Sequence, residues 1–261
     1  MTNLKTALIT GASSGLGAEF ARQLAAQGCD LVLTARRRTR LEALAHELES
    51  SFPITVDILV ADLATAEGLH TVAERIRGLP SLNLLVNNAG FGTNGRFFQV
   101  DPGKHAAMLQ VHVNATVLLS HAALPGMIAR RQGGIINVAS MAGLIPIRSV
   151  LYGTTKAFMV NFSEALQAEL RGKGIKVQAL CPGFTYTEFH DTPEYTGFNR
   201  RKIPRLLWLT SEQVVRESLE HLERRAVICI PGVQYKIIGV IARNNLSGYF
   251  VRKIGARLFH K

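Results

Sequence analysis

The chain has 261 residues, 47% hydrophobic and 19% charged, with a formal net charge of +11; this suits one globular domain with a sizeable core, or one domain with an appendage. No apolar run reaches the ~20 residues needed to span a bilayer, and MTNLKTALIT runs into a strand and a Gly-rich turn, unlike a signal peptide. Cys29, Cys181 and Cys229 are scattered in apolar contexts and read as reduced core thiols of a cytoplasmic protein, not as a disulfide framework or a metal site.

Short apolar runs alternate with longer amphipathic ones. Strands are predicted over 5–10, 30–35, 54–60, 83–88, 134–140, 175–180 and 226–230. Helices are predicted near 15–27, 38–50, 65–78, 103–131, 151–171 and 211–223. Continuously apolar strands separated by helices indicate a parallel sheet buried on both faces. The expected fold is α/β: a single doubly wound Rossmann domain over 1–232 with a seven-stranded parallel sheet, followed by a short helical extension, 233–261. The long irregular stretch 182–210 is expected to be a functional loop.

ALITGASSGLGAEFARQLAAQG reads as strand, Gly-rich turn and helix. Gly11, Gly15 and Gly17, lacking Cβ atoms, let backbone N–H groups approach a pyrophosphate at the helix N-terminus. Placement after the first strand and at the opening of a helix is the context a dinucleotide site needs; a purely structural turn is the alternative. NAD sites typically carry Asp or Glu at the end of the second strand. Here Thr34 and Ala35 are followed by Arg36, Arg37 and Arg38. Arg36 and Arg37 could clamp a 2′-phosphate, which favours NADP(H) over NAD(H); the other reading is a solvated start to the next helix.

VLYGTTKAF (150–158) sets Tyr152 four places before Lys156 on one helix face. A free Tyr has a pKa of ~10, and a neighbouring ammonium favours phenolate, letting the phenol pass a proton near neutrality. Simple packing is the alternative.

Taken together, TGASSGLG (10–17), NNAG (87–90), Ser140, YGTTK (152–156) and PG (182–183) resemble the short-chain dehydrogenase/reductase family over about residues 4–232. The resemblance implies a Rossmann domain that binds a nicotinamide cofactor and moves hydride between it and an alcohol/carbonyl pair. It implies Tyr152 as general acid/base, Lys156 lowering its pKa and holding the nicotinamide ribose, and Ser140 on the substrate oxygen. Asn114 of VHVNATVLLSHAALPGM would kink its helix and anchor a proton relay to Lys156. For the cofactor it implies Gly11, Ser13, Ser14, Gly15, Leu16 and Gly17 of the turn, Asp62 and Leu63 at the adenine, and Asn88, Ala89 and Gly90 at the adenosine ribose. Thr187, with Thr185 as the alternative, would hold the carboxamide after Pro182 and Gly183. Ser140 and Tyr152 stand one residue closer than is usual in the family, so MAGLIPIRSVL must turn tightly.

By the same resemblance 182–210 forms a lid. Its Phe184, Tyr186, Phe189, Tyr195, Phe198, Leu206, Leu207 and Trp208 favour a lipophilic carbonyl or alcohol substrate. RRKIPR (200–205) reads as a solvated charge run, or as a contact for an acidic headgroup. The basic excess is local: residues 196–261 hold 13 Lys/Arg against 4 Glu. In 233–261 apolar residues recur at Ile237, Ile241, Tyr249, Phe250, Ile254, Leu258 and Phe259, predicting one or two basic amphipathic helices. These could cap the pocket, pack between subunits, or lie on an anionic membrane; no nucleic-acid motif is recognised. His112, His121 and His190 lack metal-ligand spacing and read as packing or loop residues. The expected activity is NADPH-dependent carbonyl reduction by a homodimer or homotetramer. An NAD-dependent alcohol dehydrogenase, a non-catalytic nucleotide sensor and a peripheral membrane protein with secondary catalysis are the alternatives.

Overall fold

In the computed structural model, which describes residues 6–145, 149–192, 198–224 and 226–243, strands and helices alternate along the chain. The first six strands are β1 (Thr6–Thr10), β2 (Asp30–Ala35), β3 (Val56–Val60), β4 (Leu82–Asn87), β5 (Gly133–Val138) and β6 (Ile175–Leu180). Two-residue strands β7 (Thr185–Tyr186) and β8 (Leu209–Thr210) pair with each other, and β9 (Ile228–Cys229) closes the main sheet. The main sheet is parallel, with order β3-β2-β1-β4-β5-β6-β9. This is the doubly wound seven-stranded fold expected from the sequence, with boundaries within about two residues of expectation.

Period-two alternation divides the apolar runs between two cores. Ile9, Leu31, Leu33, Leu84, Val86 and Ile136 face α1 (Gly15–Ala25) and α2 (Arg38–Ser51), where Phe20, Leu24, Leu41 and Leu48 pack. Their sequence neighbours Leu8, Val32, Leu85 and Ile135 face α3 (Ala66–Arg77) and the long helix before β5, meeting Leu69, Val72, Ile76, Leu119 and Met127. Each such side chain contributes roughly 1.5–3 kcal/mol by leaving water. Cys29, Cys181 and Cys229 are free, buried thiols.

Local signals set the helix starts. Thr65 accepts from Gly68 N–H (3.0 Å) ahead of α3, and Asp101 accepts from Lys104 N–H (3.2 Å) ahead of α4 (Pro102–Leu109). A π turn, Gln110–Asn114, joins α4 to α5 (Ala115–Arg130). The resulting 102–130 helix is long and apolar enough to cross a membrane by length and composition alone, which the sequence reading did not foresee; half of its most apolar window is buried inside the protein. Helix α6 (Val150–Glu169) follows β5, and α7 (Ser211–Leu222) starts at a Thr210 cap that accepts from Gln213 N–H (3.1 Å).

Helix α8 (Val233–Arg243) begins the C-terminal extension. It is tied to the preceding loop: the Tyr235 hydroxyl accepts from Phe184 N–H (2.9 Å) and donates to Leu207 O (2.5 Å). Tyr195, and the Tyr249, Phe250, Ile254, Leu258 and Phe259 pattern of the tail, lie outside the described residues.

Candidate active site

Strand order reverses between β1 and β4, and this opens a crevice at the C-terminal ends of the strands. The Gly-rich turn lines it. Gly11 adopts φ +65°, and a Cβ there would lie 2.9 Å from Ala89 Cα. A Cβ on Gly17 would collide with Gly11 O, so this helix start can approach the turn only without a side chain. Asn88 braces the turn: its Nδ2 donates to Thr10 O (2.8 Å) and Gly11 O (3.2 Å). Ala89 and Gly90 continue the same wall, and Ala89 N–H donates to Thr10 Oγ1 (2.9 Å). Helix α1, which opens with Gly15, Leu16 and Gly17, has no acidic residue in its first turn and no side-chain cap from Ser14, a terminus suited to an anion.

The two arginines expected to act as a pair do different things. Arg37 folds over the turn: Nε and Nη2 donate to Ser13 Oγ (3.1 and 2.9 Å), and Nη2 donates to Ser14 Oγ (2.7 Å). Arg36 points outward with 75% of its side chain exposed, 4.0 Å from Asp62. The second partner of Arg37 in this region is Arg40, which sequence reading missed: both meet Glu188, Arg37 at 3.2 Å and Arg40 at 2.6 Å. Asp62 Oδ1 accepts from Ala64 N–H (2.9 Å) beside buried Leu63. Across the crevice, the position of a Gly15 Cβ lies 3.3 Å from Thr187 Cβ. Thr185 is instead buried in β7, its hydroxyl donating to Gly183 O (3.1 Å), so Thr187 is the threonine at the turn. Pro182 O accepts from Met141 N–H (3.0 Å), tying the Pro182–Gly183 turn to the residue after Ser140.

Ser140 lies two residues beyond β5 and caps a short 3-10 turn, accepting from Ala142 N–H (3.1 Å). Its hydroxyl hydrogen-bonds Tyr152, in the first turn of α6. Lys156, 4% exposed, donates to Val138 O (2.7 Å) and stands 5.7 Å from the centre of the Tyr152 ring. Ser140, Tyr152 and Lys156 therefore converge as predicted, but the electrostatics differ. Burial pushes Tyr152 up to about 12, opposed by the Ser140 hydrogen bond. Burial also pushes Lys156 down to about 7. The ammonium is engaged with Val138 O, and desolvation of the phenol outweighs the phenolate-favouring pull expected from sequence.

Asn114 does not join this cluster. It is exposed, and its Nδ2 donates to Gln110 Oε1 (2.6 Å) on the same helix. Two residues on a helix rotate a side chain by roughly 200°, so His112 faces inward where Asn114 faces out. His112 is 0% exposed, edge-on to Tyr152 at 5.8 Å. It packs in the interior, as expected from the sequence, with its ring against Phe91 and Tyr152. The signal was present: the buried stripe Met108, Val111, Ala115, Leu119 passes through position 112 at helical spacing, not through 114.

The 182–210 segment contributes aromatic cover. Phe189 lies 5.9 Å from the Tyr152 ring, and Tyr186 stacks on Trp208 at 4.8 Å. His190 stacks on Phe198 at 4.6 Å, and its pKa is lowered to about 4, chiefly by burial. Arg200 sits over Trp208 and bonds Asp191 (2.7 Å) and Thr187 O (2.8 Å), so this member of RRKIPR is built into the 182–210 segment. Tyr235, also missed from sequence, covers Gly183 so closely that any side chain there would overlap its ring.

Residues 5–194 match the family model for short chain dehydrogenases. The chain belongs to the short-chain dehydrogenase family. It is accordingly an oxidoreductase acting on the CH–OH/C=O pair. This dehydrogenase is 40% identical over 187 residues to a sulfoacetaldehyde reductase of Chromohalobacter salexigens, covering 69% of this chain and 72% of that one. It superposes on a short-chain dehydrogenase from Sphingobium yanoikuyae in complex with NADPH, with TM-score 0.83, 32% identity and coverage of 99% and 97%. It also superposes on a bulky-bulky ketone specific alcohol dehydrogenase from Comamonas testosteroni, with TM-score 0.80, 32% identity and 95% coverage of each chain.

Proposed function

We propose that this dehydrogenase reduces a bulky, lipophilic ketone or aldehyde with NADPH, and that Tyr152 supplies the proton. The observation that carries the reading is the Ser140–Tyr152–Lys156 cluster, half-buried at Ser140 and Tyr152 and buried at Lys156, lying beneath Phe189 of an aromatic lid. The residues fit the cofactor: Gly11 and Gly17 let the turn close tightly on Asn88 and Ala89, α1 offers its N-terminus, and Arg37 and Arg40 present guanidinium groups suited to a 2′-phosphate. The nearness of Thr187 to Gly15 of the turn supports reading it, over Thr185, as the residue that would hold the carboxamide.

When bound, NADPH supplies hydride to the carbonyl carbon. Negative charge then develops on the carbonyl oxygen, where the Ser140 and Tyr152 hydroxyls donate hydrogen bonds. A phenol held well above neutrality remains protonated until that oxygen becomes basic enough to take its proton. Lys156, fixed by Val138 O, offers a positive charge to the transient phenolate and would hold the nicotinamide ribose. The aromatic lid excludes water from the developing charge.

The sulfoacetaldehyde reductase relative raises a small anionic aldehyde as a competing substrate class. Against it, Arg200, which lies over Trp208 of the lid, is already paired with Asp191. Tyr235 supports a structural role for the start of the C-terminal helix at the lid, while exposed Val233, Ile237 and Ile241 keep an anionic membrane contact open to a vesicle cosedimentation test. Exposed Leu109, Leu118 and Val150 on the long helices support self-association as a homodimer or homotetramer, measurable by sedimentation velocity. The test of function is a reductase screen with NADPH and NADH against bulky aryl ketones and small anionic aldehydes. The highest kcat/KM is expected for NADPH with bulky ketones. A preference for the anionic aldehydes, or for NADH, overturns the reading.

A further inference from the structure

His112 sits in the π turn, where Ala115 N–H reaches back to Gln110 O. Such turns widen a helix locally and recur at functional sites. Both ring nitrogens are engaged. Phe91 N–H donates to Nε2 (3.1 Å), and Nδ1 lies 2.9 Å from Thr155 Oγ1. A backbone N–H can face only an unprotonated nitrogen, so the ring proton resides on Nδ1 and is donated to Thr155. The Thr155 hydroxyl in turn donates to Tyr152 O (3.0 Å). Burial and the nearby Lys156 charge both disfavour a second proton on the ring.

This chain of hydrogen bonds joins three elements remote in sequence: the loop after β4, the π turn, and the turn of α6 that carries Tyr152. It ends on a backbone carbonyl, so it cannot deliver a proton to Lys156. Its geometry is also tight against the loop. A Cβ on Gly90 would lie 2.9 Å from His112 Nε2 and 3.5 Å from Lys156 Nζ. The imidazole, the loop and the lysine therefore meet at one point.

We infer that His112 is a positioning residue that clamps the Gly90–Phe91 loop to the Tyr152 turn of α6. The clamp holds the proton donor and Lys156 in register with the wall that would face the cofactor. The two nitrogens divide the work: Nε2 holds the loop and Nδ1 holds the catalytic helix. This inference rests on the catalytic reading of Tyr152 given above.

Three variants of the full chain separate the two bonds. His112→Phe keeps a ring and loses both. In His112→Gln the amide oxygen reaches about the place of Nε2 and can accept from Phe91. In His112→Asn the amide nitrogen reaches about the place of Nδ1 and can donate to Thr155. NADPH affinity, kcat and KM for a ketone turned over by the unmodified enzyme, and the thermal midpoint are measured for each. A clamp predicts that His112→Phe loses about 10- to 100-fold in kcat, the scale of a displaced catalytic group. It predicts that Asn recovers kcat but leaves NADPH binding weak, whereas Gln recovers NADPH binding but leaves kcat low. Unchanged kcat and NADPH affinity in His112→Phe overturns the inference. So does a loss in all three variants that simply follows the thermal midpoint. Tyr152→Phe is the control: if it stays active, the catalytic reading itself fails. If it is inactive while His112→Phe is fully active, only the clamp fails.

Discussion

Replacing Arg37 by Ala probes the choice of cofactor most directly. Its guanidinium makes three hydrogen bonds to the Ser13 and Ser14 hydroxyls, 2.7 to 3.1 Å long, and meets Glu188 at 3.2 Å. A 2′-phosphate bound there would compete with the Glu188 carboxylate for Arg37 and Arg40. Hydrogen bonds to a charged group contribute about 1.5–3 kcal/mol, while an exposed ion pair such as Arg37–Glu188 is worth roughly 0–1 kcal/mol. The exchange leaves a net of about 0.5–3 kcal/mol in favour of phosphate, or about 2- to 150-fold in Kd. Fluorescence titration of Arg37→Ala should therefore show NADPH weakened by about 2- to 150-fold, and by more than NADH. Glu188→Gln should tighten NADPH by up to about 5-fold, and raising the salt should narrow the preference. Arg36→Ala should change little, because that side chain is 75% exposed and reaches only Asp62, at 4.0 Å. Equal weakening of both cofactors in Arg37→Ala, or a loss borne by Arg36 instead, refutes the reasoning.

Tyr152→Phe should lower kcat by about 10²- to 10⁴-fold and leave NADPH affinity nearly unchanged; comparable loss of both would point to collapse of the site instead. In the cofactor-free protein, nitrogen-detected NMR should find Lys156 titrating at about 7. The sign of the linked stability follows from that depressed value. Between about 10.5 and 7 the unfolded chain takes up a proton that folded Lys156 does not. Stability from this group is therefore complete at high pH and is lost as pH falls, on the order of a few kcal/mol in all. Lys156→Met should flatten that slope in denaturant titrations; an unaltered slope counts against the assignment. Tyr235→Phe strands the Phe184 N–H and should cost about 1–3 kcal/mol, seen as a lower thermal midpoint and a KM that rises more for bulky ketones than for small ones. An unchanged KM ratio would detach α8 from the lid.

Much of the fold was legible because its causes are local or periodic. The apolar runs of β1 through β6 announce a doubly buried sheet, and the placement of TGASSGLG between strand and helix gives away the crevice. Ser140, Tyr152 and Lys156 were legible through motif spacing, and the structure brings them together. The helix departs from regular geometry at Gln110–Asn114, where Asn114 was expected to kink it, while the outward turn of its side chain depends on rotation about the helix axis, which sequence periodicity does not display.

What the sequence by itself determined is the order of elements, the parallel sheet and the identity of the groups proposed to do the chemistry, since these depend on side-chain period and on residue type. The tertiary structure decided which of those groups face one another. Arg40 reaches Glu188 across 148 positions, Tyr235 locks Phe184 across 51, and His112 meets Thr155 across 43. It also decided protonation, since Tyr152 and Lys156 are shifted by desolvation, and desolvation exists only once the chain has closed around them.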